Sequence, residues 1–317
     1  MRLIMMGTGP FAVPTFRALL QSQHQVPLLV TRPAPTIHTR GVVPRNWMRE
    51  CAEQASVPIF EPEEINSPDS QVRLRAVAAD LFVVCDYGQI LSSETLSIPP
   101  LGGINLHGSL LPKYRGAAPI QWAILRGETT SGVTVIHMTP RLDAGPSLVQ
   151  VSTPIGAEET AAELEPRLAE LGVAAVHQAV ELLANWDRQS VLGTPQDRHQ
   201  ASRAPRLQKS DGHVNWSHSA EQIQNQIRAL KPWPGTYTHW LRPGAEPLRL
   251  ILDRIHITTG QGVPGTVLRA SGKDLIIATA DQAIAIDQLQ PAGKRLMDTE
   301  TFLRGYRIQA GDRCDAV

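Results

Sequence analysis

Five nearly continuous apolar runs constrain this chain more than anything else in it. They are RLIMMG (Arg2 to Gly7), VPLLVT (Val26 to Thr31), ADLFVVCDY (Ala79 to Tyr87), GGINLHG (Gly102 to Gly108) and GVTVIHM (Gly132 to Met138). Strands apolar on both faces are covered on both faces, and segments of helical spacing lie between them to do so. Ala12 to Gln23 places Phe16, Leu19 and Leu20 on one helical face, and a helical pattern resumes from Pro44 to Ala55, before a short strand at Val57 to Phe60. This alternation predicts an α/β domain with a largely parallel sheet.

The pattern then changes. Thr160 and Glu163 have capping-box spacing and open a long helical stretch that Gly172 is expected to split in two. A polar, irregular segment follows. Beyond it come one short helix (SAEQIQNQIRALK) and then closely spaced short strands punctuated by turn residues, the pattern of a small β-barrel. The expected organisation is a catalytic domain over 1–188, a linker over 189–208 and a barrel domain over 209–317. A chain of 317 residues is long enough for two domains.

Composition removes several classes. The three cysteines (Cys51, Cys85, Cys314) form no C-x-x-C pair, and the ten histidines show no metal-ligand spacing, so no metal is expected. No apolar run has the length of a membrane span, and MRLIMMGTGP reads as a first strand rather than a signal peptide; a cytoplasmic protein is expected. Thirty basic residues balance thirty acidic ones, so a polyanionic partner has to be met by a local patch. No interface pattern stands out, and a monomer is expected.

GTGPFA (Gly7 to Ala12) matches a dinucleotide fingerprint between a strand and a helix. The acidic ribose partner expected about 20 residues on is missing, Pro10 stiffens the turn, and only Arg32 suggests a 2′-phosphate. A tight turn lining a cleft is the preferred reading, with no nicotinamide nucleotide.

Asn105 and His107 sit two apart in GGINLHG, so on a strand they face the same way. At the carboxyl end of a sheet strand, an Asn amide can donate to an oxygen gaining negative charge and a His can carry a proton near neutral pH. Asp143, in the Gly/Pro loop after GVTVIHM, can orient the imidazole and stabilise its charged form. Separately, a structural Asn, a backbone-bonded His and a turn-forming Asp remain ordinary readings.

NLHGSLLPKYRGAAPIQWAILRGETTSGVT followed by LDAGP resembles the 10-formyltetrahydrofolate-dependent formyltransferases. GAAPIQ and the C-terminal KPWPG favour the branch of that family that acts on tRNA. The resemblance extends over nearly the whole chain, through GTGPFAVP, VVCDYGQIL and LQPAGKRLM. It implies a Rossmann-like N-terminal formyltransferase domain, a C-terminal OB-like β-barrel, 10-formyltetrahydrofolate as formyl donor and Met-charged initiator tRNA as acceptor. The family's catalytic trio maps onto Asn105, His107 and Asp143. Its folate segment maps onto Ser109, Leu110, Leu111 and Pro112, with Tyr87, Gly88, Gln89 and Ile90 as a wall of the pterin pocket. Core packing is the competing reading for the leucines. Asp86 stands where the family pattern has a small residue.

For tRNA, the resemblance implies contacts from the loop after the second strand, here with Arg32, Arg40 and Arg45 but no lysine. In the barrel it implies Arg228, Lys231, Lys294 and Arg295, with Arg304 and Arg307 nearby; a scattered, solvated charge set competes. An amino-sugar or glycinamide-ribonucleotide formyltransferase would share the chemistry. An NADP-dependent reductase, resting on GTGPFA and Arg32, leaves the Asn-His-Asp set unexplained, and an intact trio speaks against a non-catalytic binding module.

Overall fold

The structure, a computed structural model, describes residues 1–33, 45–242 and 244–315. In chain order its first half contains β1 (Arg2–Met6), α1 (Val13–Leu20), β2 (Gln25–Val30), α2 (Trp47–Gln54), β3 (Ile59–Phe60), α3 (Pro68–Ala76), β4 (Leu81–Val84), α4 (Ser93–Leu96) and β5 (Gly103–His107). There follow β6 (Arg115–Gly116), α5 (Pro119–Leu125), β7 (Thr130–His137), β8 (Ser147–Pro154), α6 (Ala161–Ala184) and β9 (Arg203–Ala204). The C-terminal part holds α7 (Ala220–Ala229), β10 (Thr236–Leu241), β11 (Leu248–Thr258), β12 (Val267–Ser271), β13 (Asp274–Ala278), β14 (Ala283–Pro291), β15 (Met297–Asp298), α8 (Thr299–Gly305) and β16 (Arg313–Asp315).

Two compact units emerge. One comprises Met1–Pro119, Thr130–Pro154 and Leu164–Pro205; the other Ile120–Thr129, Ile155–Glu163 and Arg206–Val317. The second unit therefore takes in two short stretches that lie well before Arg206 in the chain, which the sequence pattern does not announce.

In the first unit the sheet order is β3-β2-β1-β4-β5-β7-β8. The five strands from β3 to β5 pair in parallel, and β7 and β8 extend the sheet antiparallel. Along β1 and β4 both alternating side-chain sets are buried, as the apolar runs demand. One face packs Ile4, Met6, Phe82 and Val84 against Leu74 of α3 and Leu96 of α4. α2 begins later than its sequence pattern suggests, where Asn46 caps it by accepting from the Arg49 N–H at 3.0 Å; Pro44 lies outside the described residues.

Gly172 does not split the long helix. α6 runs unbroken for 24 residues, and a Cβ at Gly172 would lie 2.5 Å from Leu106 Cδ2. That glycine lets the helix approach β5 closely, which its helix-breaking tendency alone does not reveal. Glu163 supplies one half of the expected capping box, its carboxylate accepting from the Thr160 N–H at 2.9 Å.

Glu165, early in α6, is half-buried, and burial pushes its carboxyl up from the ordinary value. A carboxyl whose folded pKa lies above its unfolded one contributes its stability at low pH and loses it as pH rises. Glu165→Gln should therefore raise the melting temperature at pH 7, on the order of 1–2 °C, and the gain should vanish near pH 4. A gain equal at both pH values in a melting series would contradict this account.

The second unit is built on a seven-stranded antiparallel sheet ordered β12-β13-β14-β11-β10-β16, with β15 on β14. A bridge between Thr266 and Arg313, with the Cys314 N–H donating to Gly265 O at 2.8 Å, brings the two edges together into a nearly closed barrel. Its core includes Trp216, Ile223, Ile227, Leu250, Leu252, Ile277, Ile284 and Phe302. α7 carries a full capping box between Ser219 and Gln222. No helix among the described residues is long and apolar enough to cross a membrane.

Candidate active site

β5 lies where the sheet changes from parallel to antiparallel pairing, its Asn105 opposite Ile136 and its His107 opposite Thr134 on β7. Leu106, between them, faces α6, so Asn105 and His107 share the other face, as the period of two requires. His107 is 5 % exposed. Its Nε2 lies 2.9 Å from the carbonyl of Tyr114. A carbonyl only accepts, so Nε2 carries a proton and a further proton must fall on Nδ1.

That Nδ1 faces Asp143 Oδ2 at 3.7 Å. The carboxylate is held from two further directions: its Oδ2 accepts the Gly116 N–H at 2.9 Å, and its Oδ1 lies 3.5 Å from the Asn105 amide nitrogen. The three residues singled out from the sequence are thus brought together, and the second N–H of Asn105 has no partner among the described residues. Tyr114 (φ 66°) and Asp143 (φ 48°) both hold left-handed backbone. That conformation costs a non-glycine residue of order 1–3 kcal/mol and recurs at functional sites.

The segment Ser109 to Pro112 is fastened to the sheet. Thr134 Oγ1 donates to Ser109 O at 2.7 Å and accepts the Leu111 N–H at 3.1 Å, while Gln150 Nε2 donates to Leu111 O at 2.9 Å. Ser109 Oγ donates to Lys113 O, Leu111 is buried, and Leu110 packs over Gly132, where a Cβ would come within 2.6 Å of it. In the other predicted segment, Tyr87 is buried in the core with Val84 and Leu91, its hydroxyl has no partner among the described residues, and burial pushes the phenol up. Gln89 donates to Pro62 O and accepts from the Ile65 N–H. Gly88 and Ile90 are exposed. The side chains of Tyr87 and Gln89 thus hold their own loop in place.

The glycine turn GTGP serves a close approach. A Cβ on Gly9 would meet Asp86 Oδ2 at 1.7 Å, and one on Gly7 would meet Cys85 O at 2.7 Å. The space that Gly9 opens is filled by the carboxylate of the loop after β4.

The basic residues divide. Arg32, Lys294 and Arg295 are exposed. Arg45 forms a two-pronged pair with Glu50 and lies over the Trp47 ring at 3.5 Å; Lys231 pairs with Asp253 at 3.2 Å. Arg228 is taken up within its own unit: it donates to Asn225 Oδ1, Gly156 O and Glu159 O, and desolvation pulls its guanidinium down from the ordinary value. Arg40 lies outside the described residues.

Sequence reasoning missed the residues that hold the trio. Thr134 and Gln150 anchor the Ser109–Pro112 segment, and Gln196 and Ser202 reach the site from a polar stretch that reads as a linker. A lone glutamine in a polar run carries no periodic signal that would reveal such a role.

Comparison with known proteins follows the same lines. The formyl transferase family matches residues 1–180 and its C-terminal domain matches residues 206–307. A methionyl-tRNA formyltransferase of Rhodopirellula baltica is 43% identical over 322 residues, covering 99% of this chain and 96% of that protein. Among solved structures, an N-formyltransferase from Helicobacter canadensis, in complex with folinic acid and dTDP-3-aminofucose, has a TM-score of 0.66 at 17% identity, covering 91% of this chain and 99% of that one. HypX from Aquifex aeolicus, in complex with tetrahydrofolic acid, has a TM-score of 0.58 at 19% identity, over 96% of this chain and 47% of its own. An Asn-His-Asp set on a mixed sheet, a C-terminal unit that is itself a nearly closed barrel, and a relative this similar along its whole length lead to one conclusion: the chain is an enzyme of the formyl transferase family.

Proposed function

We propose that the protein transfers the formyl group of 10-formyltetrahydrofolate to the α-amine of the methionyl group on charged initiator tRNA, acting as a monomer in the cytoplasm. The observation that carries this reading is the convergence of Asn105, His107 and Asp143 at the end of β5, in a chain 43% identical to a methionyl-tRNA formyltransferase along 99% of its length. A folate donor is supported by two fold relatives, one solved with tetrahydrofolic acid and one with folinic acid.

The chemistry follows from the groups present. The neutral amine attacks the formyl carbon, a C–N bond forms, and the carbonyl oxygen becomes a tetrahedral oxyanion. The Asn105 amide donates to that oxygen. His107, with Nε2–H fixed on Tyr114 O, takes the amine proton on Nδ1 beside Asp143 and returns it to N10 as the C–N10 bond breaks. Tetrahydrofolate leaves, the tRNA carries N-formylmethionine, and no covalent enzyme intermediate is involved. The segment Ser109 to Pro112, held by Thr134 and Gln150, forms the folate side of the cleft, with the Tyr87–Ile90 loop beyond it. Arg32, Arg45, Lys231, Lys294 and Arg295 are the basic groups offered to the tRNA backbone, and an overall balance of charge makes that binding modest and salt-sensitive.

The test offers one donor, 10-formyltetrahydrofolate, to three acceptors: Met-charged initiator tRNA, Met-charged elongator tRNA and an amino-sugar nucleotide. Formylation of the first alone is expected. Equal formylation of the sugar, or none of the initiator tRNA, would sink the assignment.

A further inference from the structure

The stretch from Thr194 to Ala204 is strapped across the two loops that hold the catalytic trio. At one end Thr194 and Ser147 exchange two backbone hydrogen bonds of 2.8 Å each. At the other, β9 pairs in parallel with β6, the Arg115 N–H donates to Ser202 O at 2.9 Å, and Ser202 Oγ accepts the Tyr114 N–H at 2.9 Å. Gln196 lies between these fixed points. Its Nε2 donates to Asp143 O at 2.9 Å and to Gly145 O at 2.7 Å; its Oε1 accepts from Arg115 Nε at 3.1 Å and from the Arg115 guanidinium terminus at 2.6 Å.

All four contacts agree on one orientation of the amide. Turning it over would set Oε1 against two carbonyl oxygens and the NH2 against a guanidinium, so the partners themselves define which end is which. One side chain thereby joins the loop of Tyr114 and Gly116, which receives His107 and grips the Asp143 carboxylate, to the backbone of Asp143 itself. The spacing it governs is critical: His107 Nδ1 and Asp143 Oδ2 stand 3.7 Å apart, beyond direct hydrogen-bond reach, so a displacement of a few tenths of an ångström makes or breaks that contact.

We infer that Gln196 is a positioning residue for formyl transfer, setting the backbone of the Asp143 loop against the His107 loop through the two carbonyls and Arg115. This rests on the reading of the trio given above. Side chains that act through others in this way hold reacting groups in register, and misplacement by about 1 Å can lower a rate some 10²-fold.

Two variants of the full chain separate this role from its alternatives. Gln196→Ala removes every contact. Gln196→Glu keeps an oxygen for Arg115 but turns a second, negatively charged oxygen on the carbonyls of Asp143 and Gly145. Both are expected to lower kcat by about 10²-fold, with KM for 10-formyltetrahydrofolate and for Met-charged initiator tRNA little changed and with the melting temperature close to that of the unsubstituted protein. Normal kcat in Gln196→Glu would overturn the inference, since Arg115 alone would then be the partner that matters. So would a loss confined to KM, or one that tracks the unfolded fraction measured by circular dichroism at the assay temperature.

A readout without substrate keeps failure of this inference apart from failure of the functional reading. In 15N-labelled protein, the His107 Nε2–H bonded to Tyr114 O should exchange with water faster in both variants than in the unsubstituted chain. Unchanged exchange overturns the positioning role whatever the acceptor proves to be.

Discussion

His107→Ala should lower kcat for formyl transfer by about 10²–10⁴-fold while leaving folate binding nearly intact. The imidazole is 5 % exposed and meets two protein groups: it donates from Nε2 to Tyr114 O and turns Nδ1 to Asp143. Its removal takes away the proton carrier that stands between Tyr114 O and the Asp143 carboxylate. Folate contacts drawn from the Ser109–Pro112 segment depend on Thr134 and Gln150, whose side chains bond to that segment and to each other. The loss should therefore appear in kcat and spare the dissociation constant for the folate, measured by fluorescence titration. A kcat within about tenfold of normal would remove His107 from the chemistry.

Gly145→Ala should have a comparably large effect through the backbone. A Cβ at Gly145 would lie 1.8 Å from His137 O, at the end of β7, where the His137 N–H already donates to Pro146 O at 3.0 Å. No rotamer relieves that collision, because both atoms belong to or adjoin the main chain. The loop must move outward, and with it go the Gly145 carbonyl that Gln196 grips and, two residues earlier, the carboxylate beside His107. Overpacking of this kind costs about 1–3 kcal/mol, and the displaced carboxylate should lower kcat about 10²-fold. Paired melting and steady-state measurements check both; a destabilised variant with normal kcat at low temperature would show that the Asp143 loop tolerates displacement.

How much of this was legible in the sequence depended on whether a residue's role left a local trace. Asn105 and His107 were readable because a strand's period of two places them on one face, and Asp143 because its loop follows the neighbouring strand. The five apolar runs announced a mainly parallel sheet; in the structure the last of them, β7, pairs antiparallel with β5, and β8 extends that edge antiparallel as well. Gly172 misled, since a glycine that permits close packing looks the same in sequence as one that ends a helix. Arg228 shows the limit for charge: composition records the guanidinium, but its carbonyl partners at Gly156 and Glu159 are about 70 positions away in sequence. Gln196 lay further out of reach, 53 and 81 positions from its partners and in a stretch whose polarity suggested a linker. Tyr87 and Gln89 belong to a segment the family resemblance singled out, yet their side chains serve the core and the loop itself.

The central claim is direct passage of one formyl group from folate nitrogen to methionyl nitrogen across Asn105, His107 and Asp143. Its most direct test follows a labelled formyl group on 10-formyltetrahydrofolate in a single turnover with Met-charged initiator tRNA. The account predicts one equivalent of label recovered as N-formylmethionine after the ester is hydrolysed, for each tetrahydrofolate released, and almost none with His107→Ala. Label appearing as free formate, or on an acceptor other than the methionyl amine, would contradict it.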